Sequence, residues 1–376
     1  MNYLFVLGRD PELALLELEA YFEARNTDYK ILEYTHEIAL LHLPELHMNK
    51  IIRELGGTVK IAQVLSDSGN LSEIEHAFNN FNLKMDKRLD YSISSFNSAL
   101  GDYVKEVLKG ICKKQKVKLI CKKPARKFDK SLSPTEIIKK NLISKGIDIV
   151  VYKNNIARTI AVFNPEEYKE RDMGRPKTDF LKTTSLRLSK ILVNLSYAKE
   201  NSLVLDPFCG NATILQEAML NGADVIGIDI EKGAVDSSIE NLNWLKKKYP
   251  TNKSFSVYHE NAANLSKIIN KKVNCIVTEP YMGPFLRKRP TRNQAFAIID
   301  ELRMLYTRFL EEAYKILDKN GKLVIITPGI GGIYIDPLRL NDNFGMYRPK
   351  IAIKLPIPYI LKNSIIERFI YVLEPK

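Results

Sequence analysis

The stretch Leu203–Asp229, LVLDPFCGNATILQEAMLNGADVIGID, decides the fold of this 376-residue chain. Its apolar residues up to Asp206 predict a short buried strand, and a turn of small residues follows. A helical pattern then ends at Asn221-Gly222, because glycine tolerates the left-handed backbone at a helix end. A second apolar run ends in Asp229. Strand, tight turn, helix and strand make one βαβ unit with an acid at the carboxyl end of each strand.

The position of these two acids predicts a nucleotide-type cofactor. In open parallel sheets, ligands bind beyond the carboxyl ends of the strands, where the strand order reverses. An acid that ends the second strand can accept hydrogen bonds from ribose hydroxyls. A dinucleotide would require G-x-G-x-x-G in the turn, whereas Gly210 is the only glycine there. The pattern favours an adenosyl cofactor without phosphates over NAD or ATP. The alternative is a core turn in which Asp206 only caps the next helix.

The charge balance predicts a polyanionic partner. The chain holds 57 Lys and Arg against 44 Asp and Glu, a formal net charge of +13, and such an excess informs on partners rather than on fold. It is concentrated between Lys105 and Lys130, where eleven basic residues stand beside only Glu106 and Asp129. With so few acids for pairing, the lysines between Lys113 and Lys130 predict a phosphate-binding face. A basic face kept for solubility is the alternative.

Cysteine usage and hydropathy argue against several classes of protein. The four cysteines are scattered without a C-x-x-C pair or a His/Cys cluster, so the sequence predicts no metal site and no disulfide framework. Reduced thiols fit a cytoplasmic protein. The N-terminus MNYLFVLG meets Arg9 and Asp10 too early for a signal peptide. No run of eighteen apolar residues occurs, and the sequence therefore predicts no membrane span.

The order of short elements predicts three folded regions and a linker. Residues 1–65 have the pattern of a small ferredoxin-like module. Residues 66–163 contain the lysine-rich segment and a capping box at Ser133-Pro134-Thr135-Glu136. Residues 164–182 are polar and predict a linker. Residues 183–376 alternate strands with helices, which predicts an α/β domain with a parallel sheet.

Two further strand ends are expected at the same edge of that sheet. The strand pattern Phe255–His259 is followed shortly by Asn261 and Ala262, and Val273–Thr278 runs directly into Glu279. Because the carboxyl ends of parallel strands meet at one edge, these residues are expected beside the two acids of the βαβ unit.

The segments DPFCGNATILQEA, GIDI and TEPY, with RDMGRP in the linker, together resemble the THUMP-domain RNA methyltransferases. Within that group the chain resembles the tRNA guanine-10 N2-methyltransferase family over nearly its whole length. The resemblance implies a ferredoxin-like module, a THUMP domain, a linker and a Rossmann-like methyltransferase domain. It also implies S-adenosylmethionine as cofactor, tRNA as partner and N2-methylguanosine as product. Whether a partner subunit is required stays open.

The resemblance assigns roles to individual residues. The family's first motif, which holds the methionine part of the cofactor, and the turn after it correspond to Asp206, Pro207, Phe208, Gly210, Asn211 and Thr213. The ribose and adenine contacts correspond to Asp229, Ile230, Asn261 and Ala262. The D/N-P-P-Y/F motif that holds the target base corresponds to Thr278, Glu279, Pro280 and Tyr281, with the tyrosine as stacking platform. The linker residues Arg171 and Arg175 are expected to fix domain orientation rather than to do chemistry.

Departures from the family pattern affect the predicted chemistry. Thr278 stands where the family has Asp or Asn, and Glu279 replaces a proline. Glu279 is therefore predicted to act as hydrogen-bond acceptor or proton sink for the guanine amine. Asn261 in place of Asp keeps one acceptor and loses a charge.

Other interpretations of the sequence stay open. One is an rRNA guanine N2-methyltransferase or a DNA amino-methyltransferase. Another is a tRNA-binding protein with a decayed methylase domain, against which Asp206, Gly210 and Asp229 argue. The basic residues after TEPY are predicted either to bind phosphates beside a flipped nucleotide or to form an exposed loop: Arg287, Lys288, Arg289 and Arg292.

Overall fold

The computed structural model describes residues 1–80, 87–126, 129–178, 184–360 and 364–376. The chain divides into two compact units, Met1–Leu15 with Thr27–Tyr168 and Leu16–Asn26 with Lys169–Lys376. Each unit contains one sheet, and the mixed α/β architecture predicted from the sequence is confirmed. None of the described helices is long and apolar enough to cross a membrane.

The elements up to residue 162 are the strands of the first sheet and the helices that connect them. They are β1 (Asn2–Leu7), α1 (Pro11–Ala24), β2 (Lys30–Tyr34), β3 (Ile38–His42), α2 (Met48–Glu54), β4 (Thr58–Ser66), α3 (Leu71–Asn80), β5 (Arg88–Phe96), α4 (Gly101–Lys114), β6 (Lys118–Cys121), α5 (Pro134–Lys139), β7 (Ile147–Tyr152) and β8 (Asn155–Val162). The strand order is β2-β3-β1-β4-β8-β7-β5-β6. Because β4 pairs antiparallel with β8, one sheet runs through both N-terminal regions.

A buried ion pair connects strands of this sheet. The Nζ atom of Lys60 in β4 donates to the carboxylate of Asp148 in β7 over 2.9 Å. The hydroxyls of Ser92 and Thr159 each donate to the same carboxylate over 2.5 Å. A buried charge is costly unless it is paired and hydrogen-bonded, and these three donors meet that requirement.

The capping box at the start of α5 is confirmed. Ser133 Oγ accepts a hydrogen bond from the Glu136 N–H, and the Glu136 carboxylate accepts one from the Ser133 N–H. The apolar pattern after this box predicts a helix that stops at Lys145-Gly146, but α5 ends at Lys139. The reason is Asn141, whose left-handed φ of 52° lets the Leu142 N–H bond back to the Ile137 carbonyl and close the helix.

Removing this cap tests its contribution to stability. Ser133→Ala is expected to lower the free energy of unfolding by about 1 kcal/mol, because the N-cap oxygen satisfies a helix N–H group that otherwise lacks a partner. Ser133→Thr keeps the hydroxyl and should retain most of that stability. Urea unfolding measures the difference, with Ser131→Ala as the control outside the helix. Equal losses in the alanine and threonine variants would contradict the assignment.

The elements after residue 164 are the strands of the second sheet and the helices that precede or connect them. They are α6 (Pro165–Gly174), α7 (Leu186–Leu195), β9 (Leu203–Asp206), α8 (Thr213–Leu220), β10 (Asp224–Asp229), α9 (Lys232–Lys248), β11 (Phe255–His259), α10 (Leu265–Ile268), β12 (Val273–Thr278), α11 (Arg292–Ile316), β13 (Leu317–Ile330), β14 (Ile333–Tyr334), α12 (Pro337–Leu340), β15 (Phe344–Met346), β16 (Ile357–Tyr359) and β17 (Glu367–Pro375). The strand order is β11-β10-β9-β12-β13-β17-β15. Strands β9 to β13 pair in parallel, and β17 pairs antiparallel with β13.

The βαβ unit occurs where the sequence predicts it, as β9, α8 and β10. Gly222, with a φ of 84°, ends α8 as expected. The predicted linker, by contrast, contains the helix α6, which starts with the N–H of Glu166 donating to the side chain of Asn164. Pro165 stands at the first helical position, which its fixed φ favours. Residues 179–182 of that linker lie outside the described residues.

Helix α11 covers one face of the second sheet. Its buried Tyr306 and Phe309 belong to one apolar core with Leu205 of β9, Ile276 of β12 and Leu323 of β13. Burying side chains of this size contributes roughly 1.5–3 kcal/mol each. This packing holds the ends of the central strands in place.

Candidate active site

The strand order of the second sheet reverses between β9 and β12. From β9 the chain continues to β10 and β11 on one side, whereas β12 and β13 lie on the other. Val204 of β9 lies opposite Val225 of β10 and opposite Cys275 of β12, with all three strands parallel. Ligands of open α/β sheets bind in the crevice at such a switch point. The carboxyl ends of β9, β10 and β12 therefore define the candidate site.

Asp206 and Thr278 connect the two central strands at this edge. Thr278 Oγ1 donates to Asp206 Oδ1 over 2.8 Å, and the Phe208 N–H donates to the same oxygen over 3.1 Å. Both side chains are buried. Burial raises the pKa of Asp206 to about 7, and the carboxylates of Asp229 and Glu279 act in the same direction, against the two hydrogen bonds. The Thr278 hydroxyl thus donates to Asp206 and is buried away from the crevice surface.

Asp229 organises the turn that follows β9. Its Oδ2 atom accepts from the Gly210 N–H over 2.9 Å, and its Oδ1 atom accepts from the Glu231 N–H over 2.9 Å. Gly210 has a φ of +50°, and apart from its chain neighbours no described residue has an atom within 4 Å of where its Cβ would be. Ile230 is 64% exposed. The turn therefore leaves open backbone and a free apolar side chain beside an acid, which suits a ribose and an adenine ring.

The other turn residues have mainly structural contacts. The carbonyl of Asn211 accepts hydrogen bonds from the side chains of Asn241 and Gln216 over 2.9 and 3.4 Å. Thr213 is buried, and its Oγ1 atom accepts from Arg175 Nη1 over 2.8 Å. Pro207 and Phe208 lie between Asp206 and this turn, and the Phe208 ring meets Phe309 edge-on at 5.4 Å. These contacts hold the shape of the turn.

Asn261 and Ala262 lie just beyond β11, next to the end of β10. The N–H of Glu260 donates to the Asp229 carbonyl over 3.0 Å, which joins the two strand ends. Asn261 Oδ1 accepts from the Ala263 N–H over 2.9 Å and caps the 3-10 turn Ala262–Asn264. Ala262 is buried. The structure therefore brings Asn261 to the sheet edge with its side-chain oxygen engaged in a cap.

Glu279 is held by two distant parts of the chain. Arg368 Nε in β17 donates to Glu279 Oε1 over 2.8 Å, and Thr184 Oγ1 donates to Oε2 over 2.5 Å. The side chains of Glu279 and Arg368 are 15% and 21% exposed. The sequence analysis missed Arg368 and Thr184. No local signal marks them, since only the pairing of β17 with β13, with Arg368 opposite Pro328, creates the contact.

Pro280 and Tyr281 complete the predicted TEPY motif. Pro280 is buried, whereas the Tyr281 side chain is 57% exposed and open to a stacking partner. Tyr306 donates its hydroxyl to the Tyr281 carbonyl over 3.3 Å. Burial, and secondarily the Glu279 carboxylate, raises the pKa of Tyr306 well above its ordinary value, so this hydroxyl stays a donor.

The linker arginines lie beside the helix that follows the turn. Arg171 Nε donates to Glu217 Oε1 over 3.0 Å, and Lys190 Nζ lies 3.3 Å from Glu217 Oε2. Arg175 is buried, and burial lowers its pKa. These residues support α8 from within the second unit.

Comparisons with known proteins find similarity to methyltransferases. Residues 175–330 match the family model described as an RMKL-like methyltransferase domain. The chain carries a methyltransferase domain. Residues 76–240 also match a model described as a DNA methylase. A solved structure, a possible methylase from Clostridium difficile 630, shares the fold with a TM-score of 0.51 at 14% identity, covering 100% of this chain and 99% of the other.

Curated relatives extend the similarity beyond this domain. The chain is 25% identical over 386 residues to the tRNA (guanine(10)-N2)-dimethyltransferase of Pyrococcus abyssi, and the match covers 100% of both chains. It is 28% identical over 213 residues to the tRNA (guanine(10)-N2)-dimethyltransferase of Methanothermobacter thermautotrophicus. That second match spans 57% of each chain. The chain is thus similar, over its whole length in one case, to proteins named tRNA (guanine(10)-N2)-dimethyltransferase.

Proposed function

We propose that this protein is an S-adenosylmethionine-dependent tRNA methyltransferase that forms N2-methylguanosine at guanine 10. The observation that carries the proposal is the hydrogen bond from Thr278, at the end of β12, to Asp206, at the end of β9. It lies at the switch point of a sheet that matches a methyltransferase model, and Glu279 follows Thr278 directly. The full-length similarity to the Pyrococcus abyssi relative supports the substrate.

The crevice residues suit the cofactor. The open backbone at Gly210 and the exposed Ile230 would accommodate the ribose and adenine, with Asp229 as the hydrogen-bond acceptor. Asp206 places a second carboxyl group beneath the turn, which complements the ammonium of the methionine part. When bound, S-adenosylmethionine supplies a methyl group made electrophilic by the sulfonium. A site with two acids, Asp206 and Asp229, and the single glycine Gly210 suits this cationic cofactor without phosphates better than it suits a dinucleotide.

The residues at the end of β12 would act on the target base. A guanine N2 amine is a poor nucleophile because its lone pair is delocalised into the ring. A hydrogen bond from this amine to the Glu279 carboxylate would localise the lone pair, and the Tyr281 ring would stack on the base. The base must leave its stack to reach this position. Orientation and electrostatic stabilisation would provide most of the rate.

We also propose the domain boundaries that the sequence predicts, with residues 164–182 as the linker and 183–376 as the Rossmann-like methyltransferase domain. The strand order β2-β3-β1-β4 with helices α1 and α2 supports a ferredoxin-like module over residues 1–65. For a THUMP domain over residues 66–163, the support is an exposed basic face that suits RNA phosphates. Its exposed members are Lys113, Lys114, Lys116, Lys118, Lys123 and Arg126.

One assay tests the proposed function. The full chain is incubated with radiolabelled S-adenosylmethionine and unmodified bulk tRNA, and the nucleosides are analysed by mass spectrometry. We expect N2-methylguanosine to form with the unaltered chain and not with the Asp206→Ala variant. Parallel reactions with rRNA and with DNA test the alternatives, since one family model is described as a DNA methylase. Transfer to either of these and not to tRNA would overturn the proposed substrate. Absence of cofactor binding by calorimetry would indicate a decayed domain.

A further inference from the structure

Directly after Tyr281, the segment of residues 282–292, here called the basic loop, presents positive charge and an aromatic ring to solvent. Phe285 is 82% exposed, the largest exposed fraction among the large apolar side chains of the described residues. Four basic side chains of the loop are also exposed, and within the described parts of the chain no acidic partner pairs with any of them: Arg287, Lys288, Arg289 and Arg292.

The base of this loop is firmly attached to α11. Gly283 has a φ of +97°, and its Cβ position would lie 3.2 Å from Ile298 and 3.4 Å from Leu302. Tyr306 bonds the carbonyl of the preceding Tyr281, and Leu286 packs against the core cluster of the second unit. At the other end, a capping box formed by Thr291 and Gln294 starts α11. Both ends of the loop are therefore attached to the second unit, and its charged and aromatic side chains are exposed.

This arrangement is unfavourable in the isolated protein. Four cations within six residues repel one another, and Arg292 lies in the first turn of α11, where the helix dipole disfavours a cation. The Phe285 side chain is 82% exposed, so its apolar surface stays in contact with water, which is unfavourable. A polyanion with unstacked bases would compensate for both features, because phosphates neutralise the cations and a base covers the ring.

We propose that the basic loop binds the RNA strand that flanks the target guanine. The four basic side chains neutralise phosphates, and the Phe285 ring stacks on an unpaired base. This inference rests on the proposed function and adds the surface by which the methyltransferase domain itself holds its substrate. Phe285 is six residues beyond Glu279, so even an extended chain places it within about 20 Å of the target position.

A charge-neutralising variant tests the phosphate contacts. Arg287, Lys288, Arg289 and Arg292 are all changed to glutamine, and the affinity for unmodified tRNA is measured by titration at several salt concentrations. We expect at least a tenfold weaker affinity at physiological salt. The slope of log affinity against log salt should fall by about 3, since each neutralised phosphate contributes roughly 0.7 in a single strand. Calorimetry should show unchanged binding of S-adenosylmethionine.

The matched control removes four exposed lysines elsewhere in the same unit, Lys246, Lys247, Lys271 and Lys319, again by glutamine. This control has the same net charge and should bind tRNA within about twofold of the unaltered chain. Phe285→Ala should weaken tRNA binding about tenfold, as expected for the loss of one stacked base, and Phe285→Tyr should restore it.

The outcomes separate this inference from the proposed function. An unchanged salt slope in the loop variant, or equal weakening in the control, would overturn the loop assignment even if tRNA is methylated. Binding of tRNA without methylation would overturn the proposed function, and the salt series would still decide the role of the loop. Absence of tRNA binding by the unaltered chain would overturn both.

Discussion

Replacing Glu279 with glutamine is expected to lower kcat for methyl transfer at least 100-fold, with little change in affinity for the cofactor. The carboxylate is fixed before substrate arrives, because Arg368 holds one oxygen and Thr184 holds the other. A preorganised group of this kind stabilises charge as it develops on the amine, and removing one such group typically costs about 10²–10³ in rate. Glutamine keeps the shape and removes the charge.

The partners of Glu279 provide a graded test of this positioning. Arg368→Gln should lower kcat about tenfold. The kcat of Arg368→Lys should lie between that of Arg368→Gln and that of the unaltered chain, because lysine keeps the charge without the planar fork of donors. Thr184→Ser keeps the hydroxyl and should retain activity that Thr184→Val loses. The assay is single-turnover transfer at saturating tRNA, with cofactor binding measured separately.

Glu367, which precedes Arg368 in the sequence, provides the control for the loss of one negative charge. Its side chain is exposed, and Glu367→Gln should leave kcat unchanged. Full activity in Glu279→Gln with normal cofactor binding would show that this carboxylate is not the acceptor. Loss of cofactor binding in the same variant would indicate a damaged crevice instead.

The affinity for S-adenosylmethionine is expected to fall as the pH is lowered through 7, and Asp206→Asn should remove this dependence. Burial raises the pKa of Asp206 to about 7, so the group becomes protonated just below neutrality. The ionised form attracts the cationic methionine part, and affinity should decrease up to tenfold per pH unit below that value. Above pH 7, Asp206→Asn should bind at least tenfold more weakly than the unaltered chain.

The raised pKa of Asp206 also makes stability depend on pH, but stability changes with pH in the opposite direction to cofactor affinity. Because the folded pKa lies above the ordinary value of 3.8, the folded chain binds more protons than the unfolded chain between about pH 4 and 7. The contribution of Asp206 to stability therefore decreases as pH rises through this window. Asp206→Asn should be more stable at pH 8 than the unaltered chain and should show a smaller change between pH 5 and 8.

Calorimetry at pH 6, 7 and 8 and urea unfolding over the same range measure both effects. Asp224→Asn is a suitable control, because hydrogen bonds from Ser254 lower the pKa of Asp224 and take its titration out of this range. A cofactor affinity that stays constant between pH 6 and 8 in the unaltered chain would contradict the prediction.

The local elements of the candidate site were determined by the sequence itself. The apolar runs that end in Asp206 and Asp229 form β9 and β10 at the predicted positions, and Gly222 ends the intervening helix. The box at Ser133 caps its helix as expected. Strand length, turn conformation and capping depend on neighbouring residues, so the free-energy differences that decide them are already present in a short segment.

Only the tertiary structure decided which groups meet Glu279 and what surrounds Asp206. Thr184 and Arg368 lie 95 and 89 residues away from Glu279 in sequence. Arg368 reaches it because β17 pairs antiparallel with β13, the neighbour of β12, and Thr184 reaches it from the segment just before α7. Burial of Asp206 and its bond from Thr278 likewise require β9 and β12 to be neighbours. Such contacts follow from strand pairing across the whole sheet, which no local pattern of residues specifies.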